Sequence, residues 1–367
     1  MKNPAEGFLT LGIETSCDDT AVAVLRNDRE VLAELLSSQD HTPFGGVVPE
    51  LAARRHLENI LPSIDAALKS AGIAGRDLDL IAVTQGPGLM GSLMVGVETA
   101  RALAQAWGVP LIGVNHLEGH MFAPLIDSAL KPPFLSLIVS GGHTEIVRVY
   151  DFGRYAVLGA TRDDAAGEAY DKAAKVMNLP YPGGPEIDKL ARTGNPRAFD
   201  FPVPLKNTNR VEFSFSGLKT ALLWQVNKLK EQKLKEQELS EQAKQTTSTG
   251  PLVPGEISLR ECSLSEFSLP LADLCASFQH AVTQALIVKV ALAVRQTGIA
   301  DVAVSGGVAA NSALRRALES GRHWKAHLPR PSRCTDNAVM IALAGYNGWH
   351  RGLRTPSDLA PDPSLEL

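Results

Sequence analysis

The chain has 367 residues, 44% of them hydrophobic and 21% charged, and a formal net charge of −4. That length suggests two domains and the composition is that of a soluble globular protein. The mild acidity excludes a global basic field of the kind a nucleic-acid coat carries, although a local basic patch or a basic partner is compatible with it. Cys17, Cys262, Cys275 and Cys334 form no C-x-x-C pair, which argues against a zinc ribbon or a redox motif. The apolar runs are too short for a signal peptide or a membrane span, so the reading is a reducing, cytoplasmic protein with no membrane contact.

In chain order, FLTLGIETSCDDTAVAVLR (8–26) reads as strand, polar turn, strand. LAARRHLENILPSIDAALKSAG reads as an amphipathic helix. DLIAVTQGPGLMGSLMVGVETARALAQAWG reads as strand, glycine-rich loop and helix, and PLIGVNH as a buried strand running into a histidine pair. LSLIVSGGHTEIVRVY (135–150) repeats the shape of the first hairpin, which suggests an internal duplication. Helices follow at AAGEAYDKAAKVM, at YPGGPEIDKLA after a Gly/Pro loop, at SFSGLKTALLWQVNKL and at LADLCASFQHAVTQALIVKVALAVRQTG. DVAVSGGVAANSALRRALES reads as strand, glycine turn and helix. The last helix, CTDNAVMIALAGYNGW, is entered through Thr335 and Asp336, both good capping types. KLKEQKLKEQELSEQAKQTTSTGPLVPGE, from 228 to about 256–262, is too polar to pack. It reads as an exposed charged insertion, a helix extension without a catalytic role.

Three turns are built for an anion. GIETSCDDT ends a strand in Thr, Ser and two aspartates, VSGGHTE puts Ser and two glycines in the matching hairpin, and VSGGVAAN puts two glycines between strand and helix. Glycine lets backbone N–H groups converge on a ligand, and a helix N-terminus adds partial positive charge. GPGLMG (86–91) is a weaker candidate of the same kind. Neither a Walker loop nor a G-x-G-x-x-G turn is present. Two matching hairpins plus a Gly–Gly turn point to an α/β, actin-like, sugar-kinase-like fold with a nucleotide cleft between two lobes. The expected division is an N-terminal lobe over 1–116, a C-terminal lobe over 117–335, and a segment 336–367 whose helix packs back on the first lobe.

NHLEGH holds His116 and His120 one helical turn apart, on one face, where they can chelate one metal ion. In H-E-x-x-H proteases the glutamate directly follows the first histidine. Here Glu118 sits about 200° around the helix from His116 and faces away from any shared metal. A third ligand must come from elsewhere. Asp336 in CTDN is a candidate, Cys334 is a rival, and His41, His56 and His143 are also available.

Together these stretches resemble the TsaD family, the tRNA adenosine threonylcarbamoyltransferases once described as O-sialoglycoprotein endopeptidases. GIETSCDDT, NHLEGH, LIVSGGHT, DDAAGEAYDKAAK, YPGGPEIDKLA, FSFSGLKTA, SGGVAANSALR and CTDNAVMIALAG occur in the family's order, from about residue 8 to about 350. The resemblance implies the actin-like fold. It also implies transfer of a threonylcarbamoyl group from threonylcarbamoyl-AMP to N6 of the adenosine just 3′ of the anticodon, in tRNAs that read codons beginning with A. One iron(2+) or zinc ion is implied, held by His116, His120 and Asp336. The implied adenylate site is Ile138, Val139, Ser140, Gly141 and Gly142, with Asp171, Gly184, Asp188 and Asn311. Implied partners are tRNA, a TsaB-like paralogue and a TsaE-like ATPase, with a TsaC- or Sua-type enzyme making the adenylate.

Asp171 and Asp188 suit hydroxyl groups, Asn311 a polar nucleotide edge, and no general base is assigned. Ala173 stands where many members carry Thr, which removes one hydroxyl near the site. The charged insertion is longer than in compact bacterial members, and Arg333 before Cys334 is a minor change. The rival readings are an actin-like ATPase, small-molecule kinase or carbamoyltransferase, a metalloprotease, which the Glu118 geometry opposes, and a non-catalytic tRNA scaffold.

Overall fold

The computed structural model describes residues 7–247, 269–356 and 358–367. The chain opens with the antiparallel strands β1 (Leu9–Glu14), β2 (Thr20–Arg26) and β3 (Glu30–Ser37). Helix α1 (Pro49–Ala71), strand β4 (Leu80–Gly86), helix α2 (Met90–Trp107) and strand β5 (Leu111–Asn115) follow. β4 pairs with β1 and β5 with β4, both in parallel, which gives the order β3-β2-β1-β4-β5. β1 is buried along its whole length, as expected of a strand with neighbours on both sides and helices on both faces.

Helix α3 (His116–Ile126) leads to β6 (Phe134–Val139), β7 (Thr144–Asp151) and β8 (Arg154–Ala160). Then come α4 (Ala166–Val176), α5 (Gly183–Ala191), α6 (Ser216–Thr247) and α7 (Leu271–Thr297). β9 (Asp301–Ser305), α8 (Ser312–Glu319), β10 (Lys325–His327) and α9 (Ala338–His350) complete the order. The second sheet runs β10-β9-β6-β7-β8, with β7 and β8 antiparallel and β9 and β10 parallel. β6 to β10 therefore take the places of β1 to β5, and the expected duplication is present at the level of the sheets.

Strand alternation sorts the side chains into layers. Leu11, Ile13, Val22, Val24 and Val83 face α1 and α2, while Ala21, Ala23, Leu80, Ala82 and Val114 face α3 and α9. Phe134, Ile138 and Val147 meet the same two helices from the second sheet. Leu135, Leu137, Val139 and Ile146 face the outer helices α4 to α7. Helices α3 and α9 thus form a middle layer between two sheets. At Gly12 a Cβ would lie 2.2 Å from the Ala338 carbonyl oxygen, so glycine is what lets α9 lie so close to β1.

Four expectations change. The α9 cap is Asn337, whose side chain accepts from the Met340 N–H at 3.0 Å, so Thr335 and Asp336 precede the cap and Asp336 is spared for the cleft. Ala173 packs in the core against the second sheet, so a hydroxyl there would not reach the cleft. Arg333 is no minor change: it is 5% exposed and forks onto Glu34 at 2.7–3.0 Å, with Asp127 at 3.1 Å. Finally, α7 is long and apolar enough to cross a membrane by length and composition, but 72% of that apolar window is buried among the outer helices. Within the insertion, α6 continues as helix through Thr247; the rest of it, with Cys262, lies outside the described residues.

Candidate metal centre and cleft

Helix α3 starts at His116 because Asn115 caps it, its Oδ1 accepting from the Leu117 N–H at 2.8 Å and the Glu118 N–H at 3.3 Å. One turn on, the His120 ring lies 4.6 Å from that of His116. Asp336, delivered by the loop before α9, places Oδ1 3.5 Å from His116 Nε2 and 3.2 Å from His120 Nε2. Nitrogen and oxygen ligands held tetrahedrally at about 2.1 Å from one ion lie about 3.4 Å apart. The three groups are the one set of metal-ligating side chains this close together among the described residues. His120 is fully buried, and neither ring nitrogen makes a directed hydrogen bond, an arrangement that is costly unless something else satisfies it. The residues present therefore fit a metal ion with two imidazoles and one carboxylate.

A residue that sequence reasoning missed completes the centre. Glu14, buried at the end of β1, accepts from His116 Nδ1 at 3.0 Å. Its carboxylate also accepts from Thr84 Oγ1 at 2.6 Å and the Ser16 N–H at 2.5 Å. That fixes the His116 tautomer and turns Nε2 toward His120 and Asp336. The available signal was a carboxylate closing an otherwise apolar buried strand. Burial works against a charge on His116, but Glu14 and Asp336 outweigh it and hold its pKa up at about 9. Burial likewise raises Asp336, yet the two histidines pull it well below the usual carboxylate range.

Glu118 points away, as the helix geometry requires. It accepts from Tyr155 Oη at 2.5 Å and lies 3.5 Å from Arg351. Cys334 is not a ligand: it is buried beside the Arg315 guanidinium and the Pro329 and Arg330 carbonyls. His56 ties Thr20 to the Cys17 carbonyl and His41 pairs with Gln39, so neither joins the cluster. His143 lines the cleft without joining the triad. Burial, then His116 and His120, lower its pKa to about 4, so it is neutral at physiological pH.

Two connected cavities open beside the triad. One, of about 520 Å³, is lined by His116, Asp336, Ser16, Asp19, Gly142 and His143. The other, of about 370 Å³, is lined by Asp171, Gly184, Asp188, Arg192 and Asn311. They share Gly141, Asp171, Gly307 and Thr335. Gly306, at φ +91°, leads into this wall; a Cβ there would strike the Val139 carbonyl oxygen at 2.3 Å. The structure thus brings Ser140, Gly141, Gly142, Asp171, Gly184, Asp188 and Asn311 to the cleft. Ile138 and Val139 are fully buried strand residues that line neither cavity. Asp188 already accepts from the Ser312 N–H and Oγ and pairs with Arg192 at 3.1 Å. Asn311 caps α8 and donates to Gln279 at 2.7 Å. The Ser140 N–H closes its own turn on the His143 carbonyl at 2.8 Å, and Gly141 and Gly142 of that turn line the cleft.

The family model described as TsaD, tRNA N6-adenosine threonylcarbamoyltransferase, matches residues 30–343. A protein of that name from Anaeromyxobacter sp. (strain Fw109-5) is 46% identical over 97% of this chain and 99% of its own. One from Clostridioides difficile (strain 630) is 44% identical over 98% of both chains. The chain belongs to the TsaD family. As a TsaD-family chain it is an acyltransferase that modifies N6 of an adenosine in tRNA. Its fold is the expected actin-like α/β class, shared with T. kodakarensis HypF (TM-score 0.55, 16% identity, 96% of this chain and 49% of that one). It is also shared with component A of the (R)-2-hydroxyglutaryl-CoA dehydratase of Acidaminococcus fermentans (TM-score 0.52, 15% identity, 93% and 98%).

Proposed function

We propose that this TsaD-family chain takes its threonylcarbamoyl group from threonylcarbamoyl-AMP, with His116, His120 and Asp336 holding one iron(2+) or zinc ion. The observation that carries this reading is the metal triad opening on a nucleotide-sized cavity through shared walls at Gly141, Asp171, Gly307 and Thr335. The AMP moiety fits the 370 Å³ cavity, with the Gly141 and Gly142 N–H groups toward its phosphate and Asp171 or Asp188 toward its ribose. The acyl group then lies in the cavity that Asp336 and His116 line.

The adenylate is a mixed anhydride with a good leaving group, whereas the adenine amine is a weak nucleophile because its lone pair is delocalised into the ring. The protein therefore has to position the two reactants and polarise the acyl oxygen. When bound, the ion supplies that Lewis acidity and an anchor for the threonyl group. Glu14 keeps His116 oriented for it. The acceptor is the adenosine just 3′ of the anticodon in tRNAs reading codons that begin with A. The reaction belongs to the cytoplasm, with a TsaB-like paralogue and a TsaE-like ATPase as partners. The lobes divide at the start of α3, and Leu57 and Leu61 on α1 with Met90 and Met94 on α2, all exposed, offer an apolar seat for the paralogue.

Purified chain, threonylcarbamoyl-AMP and tRNA, with and without partner subunits, will give the modified nucleoside by mass spectrometry. His116→Ala and Asp336→Ala will each abolish it while circular dichroism keeps the folded spectrum, although His116→Ala lowers the melting temperature because it leaves the buried Glu14 carboxylate without its partner. Normal modification by either variant would refute the metal assignment.

A further inference from the structure

A third cavity, of about 420 Å³, lies on the other side of His143. Pro87, Leu117, His143, Glu145 and Val157 line it, and residues 363–367 of the tail form its outer wall. It shares Pro87 and His143 with the metal cleft, and the cleft shares Gly141 and Asp171 with the 370 Å³ cavity. The three therefore form a row with the metal triad in the middle. The outer wall is fixed in place: the Asp362 N–H donates to the Gln85 carbonyl at 2.8 Å, and Asn115 Nδ2 donates to the Leu365 and Glu366 carbonyls at 3.2 and 3.0 Å.

Glu145 stands opposite Ile138 in the antiparallel register of β6 and β7, and cross-strand partners point to the same face. That face is the apolar one turned toward α3. Glu145 is 8% exposed there, and its Oε1 is buried without a hydrogen-bond partner. A carboxylate oxygen held this way is costly unless a donor arrives.

The reaction has a second substrate that must come within reach of the acyl carbon. An adenine has apolar faces and an amine donor at its edge. Pro87, Leu117 and Val157 offer contact to the faces, and Glu145 Oε1 offers the missing acceptor to the amine. We propose that this third cavity receives the acceptor adenine of the tRNA, turned out of its stack, with Glu145 accepting a hydrogen bond from the exocyclic amine. Donor and acceptor then approach the metal triad from opposite ends of the row. The inference rests on the placement of the donor adenylate argued above.

The test uses the full-length, metal-loaded chain with the partner subunits that transfer requires. Two readouts are taken: steady-state transfer to tRNA, and binding of threonylcarbamoyl-AMP without tRNA. Glu145→Leu, similar in size but apolar, will lower kcat/KM for tRNA about tenfold or more and leave adenylate affinity within roughly twofold. Glu145→Gln, which keeps an acceptor oxygen, will recover most of the loss. Val157→Arg, at the half-exposed rim on β8, will block tRNA in the same selective way and carries the test if Glu145→Leu fails to fold. Wild-type kcat/KM in both Glu145→Leu and Val157→Arg overturns the proposal. An equal loss of adenylate affinity also overturns it, because the donor would then occupy this cavity. If the wild-type chain binds no adenylate, the donor placement fails first and takes the inference with it.

Discussion

Glu14 and Asp336 hold on His116 a proton that any metal ion must displace. Because that pKa is raised to about 9, metal affinity will climb with pH by up to about tenfold per unit, and level off above about 9. Chelator-competition titrations with zinc from pH 6 to 9 measure this directly, and a flat profile would exclude the His116–Glu14–Asp336 coupling. In the metal-free protein the sign is opposite. The raised pKa stabilises the fold most below the ordinary histidine value of 6.5, and that contribution is lost as pH rises through 9. Glu14→Gln removes the negative partner and will flatten the metal profile near neutrality. Above about pH 9, where protons no longer compete, it will weaken metal binding by about 10- to 100-fold, the usual cost of losing a hydrogen-bond partner behind a histidine ligand.

Among the elements, the loop that carries Asp336 is braced by charge. Arg333 forks onto Glu34 of β3 and reaches Asp127 at the end of α3, which Arg330 also holds at 2.7 Å. Replacing Arg333 by Leu strands Glu34 without a cation and will cost about 2–3 kcal/mol in urea unfolding, below the full buried-pair figure because Glu34 is partly exposed. Arg333→Lys will recover only part, since an ammonium cannot form the fork. A melting curve unchanged in Arg333→Leu would show that the brace contributes nothing. What the sequence disclosed follows the same division between local and distant. The hairpins, the helices and the His116–His120 pair were legible because their spacing is a property of a few neighbouring residues. Glu14 and Arg333 were not, because their partners lie 102 and 299 residues away and only the packed fold joins them. The α9 cap was misplaced by one or two positions because Thr335, Asp336 and Asn337 are all capping types. The contact of Asn337 with the Met340 N–H decides between them.

At the scale of the whole molecule, two packed helices leave apolar side chains in water. Leu61 on α1 is 56% exposed and Met94 on α2 is 49% exposed, with Leu57 and Met90 one turn before each. A Leu61→Glu, Met94→Glu double variant will keep the wild-type melting temperature and lose co-elution with a TsaB-like paralogue on size exclusion; retained co-elution would put that partner elsewhere. The placement of α9 has a consequence for how the protein is made. The inner face of the first sheet is covered by a helix spanning Ala338–His350, so β1 to β5 cannot bury that face while the ribosome is still working through the second sheet. The first lobe emerges first and is completed nearly last. Asp336 leaves the ribosome just ahead of the helix that closes the lobe. Acquisition of the metal and closure of the first lobe thus become a single late event in synthesis, and truncated chains that lack α9 should be both metal-free and dependent on chaperones.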